Sequence, residues 1–154
     1  MIKSDSTPVD LRQIRSGELP QLLALYRHLH PDDSPRELTP DLEALWQQIT
    51  DNPQLFYFVA DIAGQLVSTC TLTVIPNLTR AARPFGLIEI VVTHPDFRHQ
   101  GHATALLRLA LQTAWEQNCY KVMLLTSRED EATLRFYQKA GFETGSKTAF
   151  TAKP

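Results

Sequence analysis

The stretch Val92-Thr93-His94-Pro95-Asp96-Phe97-Arg98-His99-Gln100-Gly101-His102-Ala103 has the make-up of an anion-binding turn that joins an apolar strand to an amphipathic helix. The first N–H groups of a helix lack internal partners and lie at the positive end of its dipole. Gln100, Gly101, His102, Ala103 and Thr104 would therefore cradle a diphosphate, with Gly101 allowing close approach, Ala103 keeping the site open and Arg98 adding a charge-assisted contact. Taken alone, this R-x-x-G-x-A pattern is equally a helix start with a convenient glycine. It is neither a Walker A loop, which needs Gly-Lys-Ser or Gly-Lys-Thr, nor a G-x-G-x-x-G dinucleotide turn, which argues against nucleotide hydrolysis and NAD binding. Glu89 is the second chemical feature, the single polar position in Leu87-Ile88-Glu89-Ile90-Val91-Val92. Burial in such a strand would raise a carboxyl's pKa toward that of a useful base. No metal is expected, because His94, His99 and His102 do not have the spacing of a helical ligand pair and no cysteine or second acidic cluster joins them. Asn77-Leu78-Thr79 fits a glycosylation sequon but has no secretory context.

These groups need a scaffold, and hydrophobic periodicity supplies it. Val9 to Ile14 reads as a strand, and Leu19, Leu22, Leu23, Tyr26 and Leu29 as one face of a helix that stops before Pro31. Thr39-Pro40 is a helix start, with Leu42, Leu45, Trp46 and Ile49 on its apolar face. Leu55 to Ile62 and Gln65 to Ile75, separated by Ala63-Gly64, predict an antiparallel hairpin. After the polar loop Pro76 to Pro84 come the strand Phe85 to Thr93, a helix from Ala103 to about Asn118, a buried strand over Lys121 to Thr126 and a helix ending at Gly141. Ser127, three residues before Asp130, resembles a capping box, and Phe142 to Ala152 holds alternating material for one or two final strands. The strand-helix-strand-helix second half gives one mixed domain over residues 1–154.

Composition excludes several classes. Hydrophobic residues make up 43% and charged residues 21%, near globular averages, and a net charge of -2 offers no field for polyanions, so no nucleic acid is expected as a partner. Two cysteines, Cys70 and Cys119, are too few for a disulfide framework, and the start Met1 to Asp5 lacks an apolar signal core, which points to a reduced, cytoplasmic protein. No run approaches the ~20 apolar residues of a membrane span, so no membrane association is expected.

In order along the chain, the strand Leu87 to Val92, the R-x-x-G-x-A turn, the strand Lys121 to Thr126 and Phe136-Tyr137-Gln138-Lys139-Ala140-Gly141-Phe142 resemble the GNAT superfamily of N-acetyltransferases, whose signature is F-Y-x-x-x-G-F. The detailed resemblance covers about residues 85–145. It implies an α/β (α+β) fold, a central mixed, mostly antiparallel sheet flanked by about four helices, in which two adjacent parallel strands splay apart, here Leu87 to Val92 and Lys121 to Thr126. It implies acetyl-CoA as co-substrate, with its pyrophosphate on Arg98, His99, Gln100, Gly101, His102, Ala103 and Thr104 and its pantetheine arm along Ile90, Val91 and Val92. Tyr137 matches the tyrosine that in family members lies beside the thioester sulfur and protonates the departing thiolate; the other reading is a core tyrosine. Glu89 matches a position that often holds the base for the acceptor ammonium, acting through water; otherwise it is a partly solvated or ion-paired glutamate. Many members carry Asn and Ala where this chain has Asp130 and Thr133.

The family fold places acceptor selection on the connection His28 to Arg36 and the loop Pro76 to Pro84. Asp32 and Asp33 could attract an amine there, and Arg80 and Arg83 could hold a phosphate or carboxylate; each is otherwise a solvated loop charge. Ile88-Glu89 followed by Cys119-Tyr120-Lys121 also looks like the glucosamine-6-phosphate N-acetyltransferases, but those carry Glu-Asp where this chain has Glu89-Ile90. The first expectation is an acetyltransferase for a small-molecule amine. The alternatives are a protein or peptide N-acetyltransferase and a non-catalytic acyl-CoA-binding module. The family habit of pairing through C-terminal strands suggests a homodimer.

Overall fold

Strands rich in β-branched and aromatic residues build a five-stranded sheet whose spatial order follows the chain: β1 (Val9–Gln13), β2 (Leu55–Ile62), β3 (Gln65–Ile75), β4 (Phe85–Thr93) and β5 (Val122–Leu124). Successive pairs are antiparallel except the last, β4 with β5, which is parallel. This computed structural model describes residues 7–154, so the reading of Met1 to Asp5 lies outside it. The β2–β3 hairpin turns at Ala63 and Gly64, both at positive φ, and the Asp61 carboxylate accepts the Gly64 N–H at 2.7 Å.

Side chains alternate across a strand, so each strand feeds two faces. On one face Phe58, Ala60, Cys70, Leu72 and Ile88 pack with Leu106, Leu107, Ala110 and Ala114 of α4 (His102–Glu116). On the other, Val59, Leu66 and Val92 pack with Leu25 of α1 (Leu19–Tyr26), and Leu19, Leu22 and Trp46 close the cover with α2 (Pro40–Asp51). Each fully buried leucine contributes about 1.5–3 kcal/mol relative to exposure. Trp46 Nε1 donates to Ser16 O at 2.7 Å, tying α2 to the turn before α1. At the outer edge Arg12 of β1 clamps Glu18 at 2.6 Å and Asp61 of β2 at 2.7 Å, and its guanidinium holds the Glu18 carboxyl below the usual range. Gly86 sits where β4 runs closest to its neighbours: a Cβ there would meet Leu72 Cδ1 at 3.0 Å and Val122 Cγ2 at 3.1 Å.

The mixed sheet agrees with expectation, and five details differ. A fifth helix, α3 (Thr79–Ala82), is a single turn inside the predicted loop, with Arg80, Ala81 and Ala82 at positive φ. The first helix ends at Tyr26, not Leu29, because His28 N–H and Leu29 N–H reach back only three residues, to Leu25 O and Tyr26 O. The last helix, α5 (Glu131–Lys139), is capped by Asp130 itself, which accepts Thr133 N–H at 3.0 Å and Thr133 Oγ1–H at 2.8 Å; Ser127 is not the cap. The strand predicted over Lys121 to Thr126 is paired only from Val122 to Leu124, and no strand forms in Phe142 to Ala152. Gly145 at positive φ breaks the alternation there, and Phe150 is 92% exposed with nothing packed on it. Among the described residues no helix is long and apolar enough to cross a membrane.

Candidate active site

The sheet opens where β4 outruns β5. Pairing begins at Gly86 with Val122 and ends at Ile88 with Leu124, leaving the rest of β4 without a neighbour on that side. On the β3 side the register runs from Thr71 opposite Glu89 to Thr69 opposite Val92, so Ile90 and Val91 both oppose Cys70. That is a β-bulge, and Ile90 takes φ +54, a strained value for a β-branched residue. Ile90 and Val91 thus have no strand partner in register on either side. On the β5 side their backbone has no strand neighbour and is open to an extended, amide-bearing chain.

Glu89 stands at the mouth of this opening. It was expected inside a buried strand; it is exposed, because β5 stops before it could cover that position. Any basic role rests on its position beside the opening.

Beyond β4 the chain makes a short turn at Pro95–Phe97 and enters α4. His94 Nδ1 accepts Asp96 N–H at 3.2 Å, and Arg98 Nε donates to Thr93 O at 3.2 Å, folding the arginine back toward the strand end. His99 and Gly101 take left-handed φ values of 61° and 84°. Gln100 is held at both ends, donating to Asp96 O at 3.3 Å and meeting His102 Nε2 at 3.3 Å. Gly101 is the N-cap of α4 and no side chain caps the helix; the first intrahelical bond is Ala105 N–H to Gly101 O. The N–H groups of His102, Ala103 and Thr104 are left for a ligand. A Cβ built on Gly101 meets no heavy atom within 4 Å, so the space above the helix start is open. Arg98, His99, Gln100 and Gly101 are exposed, whereas the His102 ring is buried at the helix start. A pyrophosphate fits this cradle.

Tyr137 lies on α5, half-buried at the margin of the main core, its ring 4.8 Å from Phe136 and 6.3 Å from Phe142. Burial pushes its phenol above the ordinary value, with Arg128 opposing and Cys70 and Glu89 adding to the rise. Among the described residues its hydroxyl has no hydrogen-bond partner.

The proposed acceptor residues are scattered. Asp32 and Asp33 are exposed on the α1–α2 connection, where Asp33 lines an open recess with Arg36, Glu37 and Leu42. Arg83 is committed to the backbone, donating to Asn118 O at 3.2 Å and Cys119 O at 3.0 Å, which locks the turn after α4. Arg80 lies with its guanidinium 6.0 Å from the Tyr120 ring. Both precede β4, at the end away from the bulge. Asp130, in the position where many members of the family resembled carry asparagine, spends both oxygens on Thr133 and accepts Arg128 Nε–H at 3.1 Å. Sequence reading missed the hydroxyls of β3: Ser68, Thr69 and Thr71 are buried and all bonded across to neighbouring strands. Their signal was present as a cluster of hydroxyl residues in a largely apolar strand.

Comparison with known proteins gives a consistent result. The profile of the acetyltransferase (GNAT) family matches residues 20–142. A glucosamine 6-phosphate N-acetyltransferase of Trypanosoma brucei brucei is 30% identical over 144 residues, covering 90% of this chain and 92% of the relative. A solved Agrobacterium tumefaciens C58 protein, assigned to the acetyltransferases, superposes with a TM-score of 0.88 at 44% identity, covering 94% of this chain and 99% of that one. An aminoglycoside N-acetyltransferase solved with CoA shares the fold, with a TM-score of 0.78 at 21% identity over 99% of each chain.

Proposed function

This chain belongs to the GNAT family of acetyltransferases, and on that footing we propose that it moves the acetyl group of acetyl-CoA directly to the primary amine of a small molecule while both substrates are bound. The observation that carries this reading is the pairing of an uncapped helix start at Gly101 with the partnerless strand segment at Ile90 and Val91. One suits a pyrophosphate and the other suits the amide-bearing pantetheine arm.

Acetyl-CoA supplies an acyl carbon activated by a thiol leaving group. Arg98 to Thr104 hold its phosphates, and Ile90 to Val92 align its arm. Glu89 takes, through water, the proton that the acceptor ammonium loses before it can react. The nitrogen then forms the amide bond as the C–S bond breaks, and Tyr137 donates to the departing sulfur. The second proton lost by the nitrogen restores the phenol. A phenol near ~10 is a weaker acid than a thiol near ~8.5, and burial weakens Tyr137 further, so complete transfer is uphill by about 2 kcal/mol or more. Tyr137 therefore acts chiefly as a hydrogen-bond donor during C–S cleavage, with its proton following.

The free, buried Cys70 and Cys119 accord with a reducing cytoplasm. A homodimer belongs to the same proposal, resting on the short β5 edge and the exposed Phe150 beyond it; sedimentation finding only a 17.4 kDa species at micromolar concentration would refute that part. The activity is tested by thiol release from acetyl-CoA against polyamines, amino sugars, aminophosphonates, amino acids and peptides. Turnover with one small-amine class is expected. A requirement for flanking peptide residues would replace the small molecule with a protein, and tight CoA binding without turnover on any amine would leave a binding module.

A further inference from the structure

We infer that the hydroxyls of Ser68 and Thr71 on β3 are positioning groups for the CoA arm, holding the β4 bulge in the shape that presents Ile90 and Val91 to it. The inference rests on the acetyl-CoA reading above. A β-branched residue at φ +54 is strained and persists only where its surroundings over-determine it. Two buried side chains do this, one at each end of the bulge. Thr71 Oγ1 donates to Glu89 O at 3.0 Å, the last carbonyl before the irregular pair. Ser68 Oγ donates to Val92 O at 3.1 Å, the first carbonyl after Val91, and lies 2.8 Å from Thr93 Oγ1. Ser68 is 0% and Thr71 6% exposed, so neither hydroxyl has water as an alternative.

Between them stands Cys70, fully buried and opposed by both bulged residues. The ladder is thus anchored on both sides of a two-residue gap, and the strain at Ile90 cannot relax by sliding the register. Thr69 serves as an internal comparison. It lies in the same strand with the same burial, but its hydroxyl donates the other way, to Phe58 O on β2 at 2.8 Å.

If the hydroxyls shape the surface that meets the pantetheine arm, their loss should weaken ligands that have the arm and spare those that do not. Calorimetry with CoA and with adenosine 3′,5′-bisphosphate, which carries phosphates but no arm, separates the two. Thr71→Val and Ser68→Ala are each expected to weaken CoA about tenfold, near 1.4 kcal/mol, while the bisphosphate stays within twofold. Thr71→Ser, which keeps the hydroxyl, should restore CoA affinity, and Thr69→Val should change neither ligand. Should Thr71→Val not fold, Ser68→Ala and Thr71→Ser carry the same comparison. Equal losses for both ligands, or no loss for either, would overturn the positioning role. Wild-type protein that binds neither ligand would instead sink the acetyl-CoA reading itself.

Discussion

From Ile90 to Thr104 the groups offered to a ligand are mostly backbone: two strand residues without partners and three helix N–H groups without a cap. The other candidate groups are side chains, Glu89, Asp32, Asp33 and Arg80, carried on a strand end and on exposed connections. Backbone groups are the same in every sequence. What specifies them is the residue that permits the conformation, such as Gly101 at φ +84. Side-chain groups have no such constraint, so their chemistry can change while the fold and the backbone groups stay as they are.

The harshest test of this contrast is Gly101→Glu. A Cβ here meets no protein atom within 4 Å, so a glutamate can be accommodated and brings a negative charge to the helix start where phosphates are expected. The left-handed backbone costs a non-glycine residue about 1–2 kcal/mol, which a domain of this size should survive. CoA affinity measured by calorimetry should fall more than ~100-fold, about 3 kcal/mol, in a protein whose circular dichroism is unchanged. Undiminished affinity in the folded variant would show that the helix start is not the phosphate site.

Tyr137→Phe is next in size. The ring and its contacts with Phe136 and Phe142 remain, and only the hydroxyl is lost. Turnover should fall ~10²-fold with the acetyl-CoA affinity kept. The loss should shrink with an acyl donor whose leaving group is better than CoA. Full turnover in the variant would return Tyr137 to packing.

Glu89→Gln should have a smaller effect that depends on pH. The variant should be slowest relative to wild type near neutrality and approach it at high pH, where more of the acceptor amine is already free. Superimposable pH–rate profiles would make Glu89 a surface residue only. Because Glu89 is exposed, the deficit is expected to be nearer tenfold than the larger factors seen for buried bases.

What could be read from sequence follows the same division. The hairpin at Ala63-Gly64, the bounds of β2, β3 and β4, and the start of α4 were all legible because each is set by local chemistry: a turn residue, a run of β-branched side chains, a glycine before an amphipathic face. Glu89 was misplaced because burial is decided by β5, and a periodic apolar run cannot say that its neighbour stops at Leu124. The bulge at Ile90 was invisible for a related reason. Nothing about isoleucine favours positive φ, and the hydrogen bonds that impose it come from Ser68 and Thr71 on another strand. The final strands failed because alternation in Phe142 to Ala152 says only that the segment could pair, and within one chain it has no partner.

The mildest test lies in the cover formed by α1, on the sheet face opposite α4. Tyr26 packs between the two clusters on that face, and its hydroxyl is buried with no hydrogen-bond partner. Burial also pushes its phenol well above the ordinary range, with Tyr57 and Cys70 adding to the effect, so the group stays a donor that has nothing to donate to. An unsatisfied buried hydroxyl costs about 1–3 kcal/mol. Tyr26→Phe removes it without opening a cavity, so the variant should gain stability, by about 1 kcal/mol, and melt about 2–4 °C higher. CoA affinity should stay within twofold, since the cradle at Gly101 and the bulge at Ile90 make no hydrogen bond to Tyr26. A lower melting temperature would mean that the hydroxyl has a partner after all, such as a buried water, and the cover of α1 would then be as fully satisfied as β3, where Ser68, Thr69 and Thr71 all find acceptors.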